Sequence, residues 1–115
     1  MTKKILFIED DKDQLDIYKT KFKLEGFCFL SACNGLDGLQ IAIKENPDLI
    51  FLDIILPGKM NGIEILKQLK REKNTEQIPI IMLTNLSKLN LEDEARKNGA
   101  IEYIIKTSIN LKEII

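Results

Sequence analysis

The sequence predicts an α/β protein in which a parallel sheet is covered by helices on both faces. Three observations carry that expectation. Five short runs, 4–8, 27–31, 49–52, 80–84 and 103–106, are apolar on successive residues. That is the pattern of strands buried on both sides rather than strands with one wet face. Amphipathic helical segments separate the runs, and such alternation requires right-handed crossovers into a single sheet. Finally, carboxylates, a hydroxyl and a lysine follow the runs, at the strand ends where open α/β sheets place their ligands.

The first run leads straight into Glu9-Asp10-Asp11. Asp13 is the expected N-cap of a helix that turns Leu15, Ile17, Tyr18, Phe22 and Leu24 toward the core, and Gly26 closes that helix. After the second run, Asn34-Gly35 is expected to turn the chain. A second helix over 36–45 then buries Leu39, Ile41, Ala42 and Ile43, and Pro47 begins the approach to the third strand. Asp53 follows that strand, and Pro57 stops regular structure four residues later. The polar loop Gly58-Lys59-Met60-Asn61-Gly62 leads to a helix over 63–73 with Ile63, Ile65, Leu66 and Leu69 inward. Its other face, Lys67, Lys70, Arg71 and Lys73, is basic, but Glu64 and Glu72 dilute it, which favours a solvated face over a phosphate patch. Pro79 precedes the fourth strand, and a helix near 91–98 ends at Gly99. Ser108 can cap a last helix of barely two turns.

The chain has 115 residues, long enough for one core and too short for two. A net charge of −1 gives no bulk attraction to nucleic acid or anionic membrane. The N-terminal apolar stretch is too short for a secretory leader, and no run approaches a membrane span, so a soluble cytoplasmic protein is expected. Cys28 and Cys33 fall in one apparent strand, with Cα atoms roughly 16 Å apart where a disulfide needs less than about 7 Å. Buried reduced thiols are expected. With no histidine and no Cys-x-x-Cys, a zinc site is excluded as a reading.

The strands of a parallel sheet share one carboxyl edge, and on it stand Glu9, Asp10 and Asp53, with Thr84 and Lys106. For each residue alone a structural role suffices: Asp53 can turn the chain, Thr84 can end a strand, and Lys106 can be a surface lysine. Together they are harder to dismiss. Converging carboxylates repel one another, and burial raises their pKa values unless a cation sits among them. A hard divalent ion such as Mg²⁺ resolves the conflict. The first strand-to-helix turn carries Glu9-Asp10-Asp11-Lys12 in place of a glycine-rich loop, which excludes a dinucleotide fingerprint or P-loop there. A carboxylate beside Mg²⁺, a lysine and a hydroxyl is an arrangement for accepting a phosphoryl group.

Ile5-Leu6-Phe7-Ile8-Glu9-Asp10-Asp11, Asp53 with Pro57, Ile80-Ile81-Met82-Leu83-Thr84 and Tyr103-Ile104-Ile105-Lys106 together resemble the receiver domain of two-component response regulators, over essentially the whole chain. The resemblance implies a flavodoxin-like sheet of order 2-1-3-4-5. It implies Asp53 as phosphoacceptor, with Lys106 and Thr84 assisting. Mg²⁺ would be held by Asp10, Asp53 and the backbone carbonyl of Ile55, with Glu9 acting through water. Thr84 and Tyr103 would be the switch pair, both drawn inward on phosphorylation. Partners would be a sensor histidine kinase or phosphotransfer protein, and a downstream protein met through helix four, strand five and helix five.

Three features depart from the pattern. Asn85 replaces the usual small residue after the threonine, Thr107 replaces the proline after the lysine, and the loop from Pro57 to Gly62 is one residue longer than the commonest form. Without that proline, the 106–107 peptide is expected to be trans, because a cis bond there costs about 2.5–4 kcal/mol. The last helix looks cut short. Ile55 and Leu86 flank the approach of a hydrolytic water and cannot hydrogen-bond it, which implies slow self-dephosphorylation. Two other readings compete with a phosphorylated switch: a receiver-like binding module that needs no phosphorylation, and a Mg²⁺-dependent phosphatase. The latter would want an acid where Ile55 stands. No DNA-reading motif is apparent, so direct nucleic-acid binding is not expected.

Overall fold

Strands β1 (Lys4–Ile8), β2 (Cys28–Ala32), β3 (Leu49–Leu52), β4 (Ile80–Thr84) and β5 (Glu102–Ile105) form one parallel sheet in the order β2-β1-β3-β4-β5. Helices α1 (Lys12–Leu24), α2 (Gly35–Glu45), α3 (Gly62–Arg71) and α4 (Leu89–Lys97) make the crossovers. This is the flavodoxin-like order implied by the motifs. The computed structural model describes residues 2–86 and 89–106. The 106–107 peptide, the Ser108 cap and the last helix lie outside the described residues.

Side chains of a strand alternate between faces, and here the alternation builds two cores. Leu6, Ile8, Ile50, Leu52, Ile80 and Met82 pack with α2, α3 and α4 on one side. Ile5, Phe7, Phe51 and Leu83 pack with α1 on the other. On the α1 side, the Phe7 ring stacks on Tyr18 and on Phe51, each at 4.5 Å, and meets Phe22 edge-on at 5.2 Å. Phe7 and Phe51 each stand two residues before an acid of the carboxyl edge, so the aromatic column sets the height at which those acids emerge.

Several local expectations need correction. Asp11, not Asp13, caps α1. Its backbone is extended, and its Oδ1 accepts from the amides of Asp13 and Gln14 at 3.0 and 3.2 Å. Asp13 sits in the first turn, where its charge still suits the positive helix end. The buried stripe of α1 is Leu15, Tyr18 and Phe22. Ile17 is 55% exposed and Leu24 is 79% exposed. Leu24 lies nine residues beyond Leu15, about half a revolution round the helix, and cannot share its face. Asn34 does not turn the chain before α2 but caps it, accepting from the Asp37 amide at 2.9 Å.

The fully buried residues of α2 are small, Gly35, Gly38 and Ala42, while Leu39 and Ile41 pack partly buried against the same core. A Cβ at Gly38 would stand 2.5 Å from the Ile8 side chain, so a larger residue there would force Ile8 to move. That close approach turns Ile43 outward, where it is exposed. Cys28 and Cys33 are free thiols, half-buried rather than buried. The β2 and β5 runs are each offset by one residue from their expected bounds, so Lys106 stands just past the end of β5.

The two faces of α1 make a direct test. Phe22→Ala should cost about 3–5 kcal/mol in urea unfolding, whereas Leu24→Ser should stay within about 0.5 kcal/mol of wild type. A large loss at Leu24 would contradict the face assigned to this helix.

Candidate functional site

Register delivers the acids. Ile8 of β1 is paired with Leu52 of β3, and the Asp53 amide donates to the Ile8 carbonyl at 3.1 Å. Glu9 and Asp53 therefore leave adjacent strands at the same level. β1 and β3 also flank the place where the strand order reverses, the crevice at which such sheets bind ligands. One oxygen each from Glu9, Asp10 and Asp53 lie within 4.8 Å of one another. Glu9 and Asp53 are buried, while Asp10 is exposed.

Lys106 reaches this pair from the end of β5. Its ammonium donates to Glu9 Oε1 and, at 2.9 Å, to Asp53 Oδ2. The other Asp53 oxygen, Oδ1, accepts from the backbone amides of Ile54 and Ile55 at 2.7 and 3.4 Å. Glu9 Oε2 takes the Asp11 amide at 3.2 Å. Burial pushes the Glu9 carboxyl above its usual range, and the bonds from Lys106 and Asp11 only partly offset it. For Lys106 burial acts downward, but the bonds to Glu9 and Asp53 outweigh it and hold the ammonium above the ordinary lysine range. The ammonium is therefore firmly charged.

Three carboxylates against one ammonium leave an excess of two negative charges. The Asp10 side chain makes no hydrogen bond or ion pair among the described residues. A set of clustered carboxylate oxygens with one acid still open fits a hard divalent cation.

Thr84 and Tyr103 form a second group. Thr84 is fully buried, and its hydroxyl accepts from the Leu86 amide at 3.4 Å. The Tyr103 hydroxyl donates to the Leu86 carbonyl at 2.6 Å. One residue's backbone thus links the two side chains. No hydrogen bond joins Thr84 to Glu9, Asp53 or Lys106 among the described residues. Tyr103 is only 7% exposed. The tyrosine ring is therefore turned inward in this structure.

A family model described as the response regulator receiver domain matches residues 5–115. The chain belongs to that family. Membership places it in phosphorylation-based two-component signalling. The receiver domain is 38% identical over 106 residues to sporulation initiation phosphotransferase F of Bacillus subtilis, covering 92% of this chain and 83% of that protein. It is 33% identical over 103 residues to the DNA-binding dual master transcriptional regulator RpaA of a Synechocystis strain. That match covers 90% of this chain but 42% of the regulator's length. Among solved structures, a CheY-like receiver domain protein from Methanospirillum hungatei superposes with a TM-score of 0.91 at 29% identity, covering 99% of this chain and 88% of that one.

Of the residues singled out in the sequence, Glu9, Asp10, Asp53 and Lys106 come together, and Thr84 with Tyr103 stands beside them as a separate pair. Ile55 lies on the surface, 58% exposed, and enters the site through its amide. Asn85 is exposed, and Leu86 packs partly against the core. Two backbone contributions escaped the sequence. Leu86 acts through its peptide group, which no side-chain pattern announces. Gly62, first residue of α3, donates its amide to the Ile54 carbonyl at 2.8 Å. A Cβ there would fall 2.0 Å from the Asp53 carbonyl oxygen and 2.7 Å from the Ile54 Cα. The glycine was visible as a loop boundary, but its contact with the residue carrying the acid is tertiary.

Backbone cannot yield as a flexible side chain can. Gly62→Ala should therefore destabilise the receiver domain by about 1–3 kcal/mol or more, and should shift the amide resonances of residues 53–55. An alanine variant with wild-type stability and unshifted resonances there would refute the close packing of α3 on the Asp53 peptide.

Proposed function

We propose that Asp53 accepts a phosphoryl group from a phosphohistidine on a sensor histidine kinase or phosphotransfer protein, and that the receiver domain works as a switch rather than as a turnover enzyme. The observation that carries this reading is the placement of Asp53, with one oxygen held by two amides and the other against a charged lysine at the ligand-binding edge of the sheet. An Asp53 oxygen forms a bond to phosphorus as the phosphorus–nitrogen bond of the donor breaks. The leaving imidazole nitrogen keeps the electron pair and takes a proton from solvent. Lys106 stands where it can neutralise phosphoryl oxygens, and Thr84 contributes its hydroxyl after a small displacement. Mg²⁺ would be held by Asp10, Asp53 and the Ile55 carbonyl, with Glu9 acting through water, and would supply the positive charge that an anionic donor needs at this edge. The B. subtilis relative is named a phosphotransferase, which supports phosphoryl transfer as the chemistry.

The downstream partner would meet α4, β5 and the segment that follows them. No helix among the described residues is long and apolar enough to cross a membrane, in keeping with a cytoplasmic role. The buried Tyr103 favours a second reading, in which the α4–β5 face is preset and binds its partner without phosphorylation. Turning a 1:99 population into 99:1 takes about 5.5 kcal/mol, and a tyrosine already inward leaves less of that to phosphorylation. Equal partner binding by Asp53→Asn and by fully phosphorylated chain would select this second reading.

Intact-mass analysis after incubation with acetyl phosphate tests the main one. One phosphoryl group is expected on wild type in Mg²⁺, and none on Asp53→Asn or in excess chelator. Uptake in either control would overturn Asp53 as acceptor. Once donor is removed, the phosphoryl group should decay slowly, since neither Ile55 nor Leu86 can hold a water in line behind phosphorus. An Ile55→Asn/Leu86→Glu variant should decay at least several-fold faster. Equal rates would show that these side chains do not govern access of water.

A further inference from the structure

At the opposite edge of the sheet from the acids, the C-terminal turns of α3 and α4 border an open basic hollow. Lys67, Lys70, Arg71, Lys97, Asn98 and Gly99 line a concavity of about 370 Å³. Lys70 is its fixed wall. Its ammonium donates to the carbonyls of Glu76 and Ile78 at 3.2 and 2.8 Å. Its stem lies against Gly99, where an added Cβ would stand 3.1 Å away. No carboxylate pairs with Lys70 among the described residues. Lys67 makes one long contact, 3.7 Å, to Glu94, and both side chains are largely exposed. Arg71 and Lys97 make no hydrogen bond or ion pair among the described residues. Four cations therefore face one carboxylate, on a chain whose net charge is −1.

Helix C-termini attract cations, and that accounts for Lys70, Arg71 and Lys97, which lie in the last turns of α3 and α4. It does not account for Lys67, a full turn earlier in α3, nor for the convergence of all four on one hollow. Glu64 and Glu72, which dilute the basic face along α3, do not line the hollow.

We propose that this hollow binds a small polyanion carrying phosphate groups. The Arg71 guanidinium can engage two phosphate oxygens at once, while Lys97 and Lys67 supply mobile point charges. The volume sits near the lower end of small-molecule sites, about 300–1,000 Å³. That volume accommodates a diphosphate or triphosphate group. The site is independent of Asp53 and goes beyond the phosphoacceptor reading.

The test is a titration of isotope-labelled chain with inorganic tripolyphosphate in chelator, so that no divalent ion bridges the ligand to the acidic edge. Saturable amide shifts confined to residues 67–71 and 97–99, weakening as salt is raised, are expected. Arg71→Gln/Lys97→Gln should bind at least about tenfold more weakly, the scale of losing charge-assisted contacts. Lys44→Gln, remote from the hollow, should bind as wild type does. Tighter binding of ADP than of pyrophosphate supports a nucleotide ligand, and equal binding supports the phosphate group alone. Citrate binding as tightly as tripolyphosphate would overturn the phosphate assignment. Unchanged affinity in the double variant, shifts scattered over every lysine-bearing face, or no saturation would overturn the site.

Discussion

Glu9 and Asp53 are buried side by side at the ends of β1 and β3, and the single ammonium of Lys106 bonds to both. Buried carboxylates in contact would otherwise take up protons or force the strands apart. Much of the architecture serves to keep this triangle in place. The Phe7–Phe51 stack fixes the height of the acids, and the paired register of β1 and β3 brings them level. Alignment of β4 with β5 brings Lys106 across, and Gly62 lets α3 begin against the Asp53 peptide. With Asp10 added, the triangle is still short of positive charge. A site built this way repels anions, and a further cation among its carboxylates would relieve that repulsion.

Strand positions were legible because a strand buried on both faces must be apolar at consecutive residues, as 5–8, 27–30, 49–52, 80–83 and 103–105 are. Chemical identity at the strand ends was legible for the same reason: once the strands are placed, Glu9, Asp53, Thr84 and Lys106 follow by counting. The faces of the helices were less readable. Ile17, Leu24 and Ile43 are apolar and were expected inside, yet burial depends on angle as well as character, and the fully buried positions of α2 are Gly35, Gly38 and Ala42, with Leu39 and Ile41 partly buried beside them. Apolarity pointed to the larger side chains, whereas close approach required the smaller ones. At α1 an acid two residues early took the cap, since Asp11 was already in extended backbone when the helix began.

The Thr84–Leu86–Tyr103 connection shows the limit of residue-type reasoning. Both side chains were identifiable, but their link passes through a peptide group with Leu86 as its residue, and the tyrosine proved to be inside already. A hydroxyl hydrogen-bonded to a loop carbonyl resists leaving as much as it favours arriving. The segment after β4 is therefore tied to the sheet at both its amide and its carbonyl, and any displacement of Thr84 toward Asp53 acts on that segment directly.

The most direct test of the charge argument is the Mg²⁺ affinity of the chain and two variants, followed by amide shifts at residues 9–11 and 53–55. If Lys106 and a divalent ion neutralise the same carboxylates, Lys106→Met removes a repelling charge and should bind Mg²⁺ more tightly than wild type, while Asp10→Asn should bind it more weakly. Weaker or unchanged Mg²⁺ binding in Lys106→Met would contradict the account, because the lysine and the metal would then not be answering the same excess of negative charge.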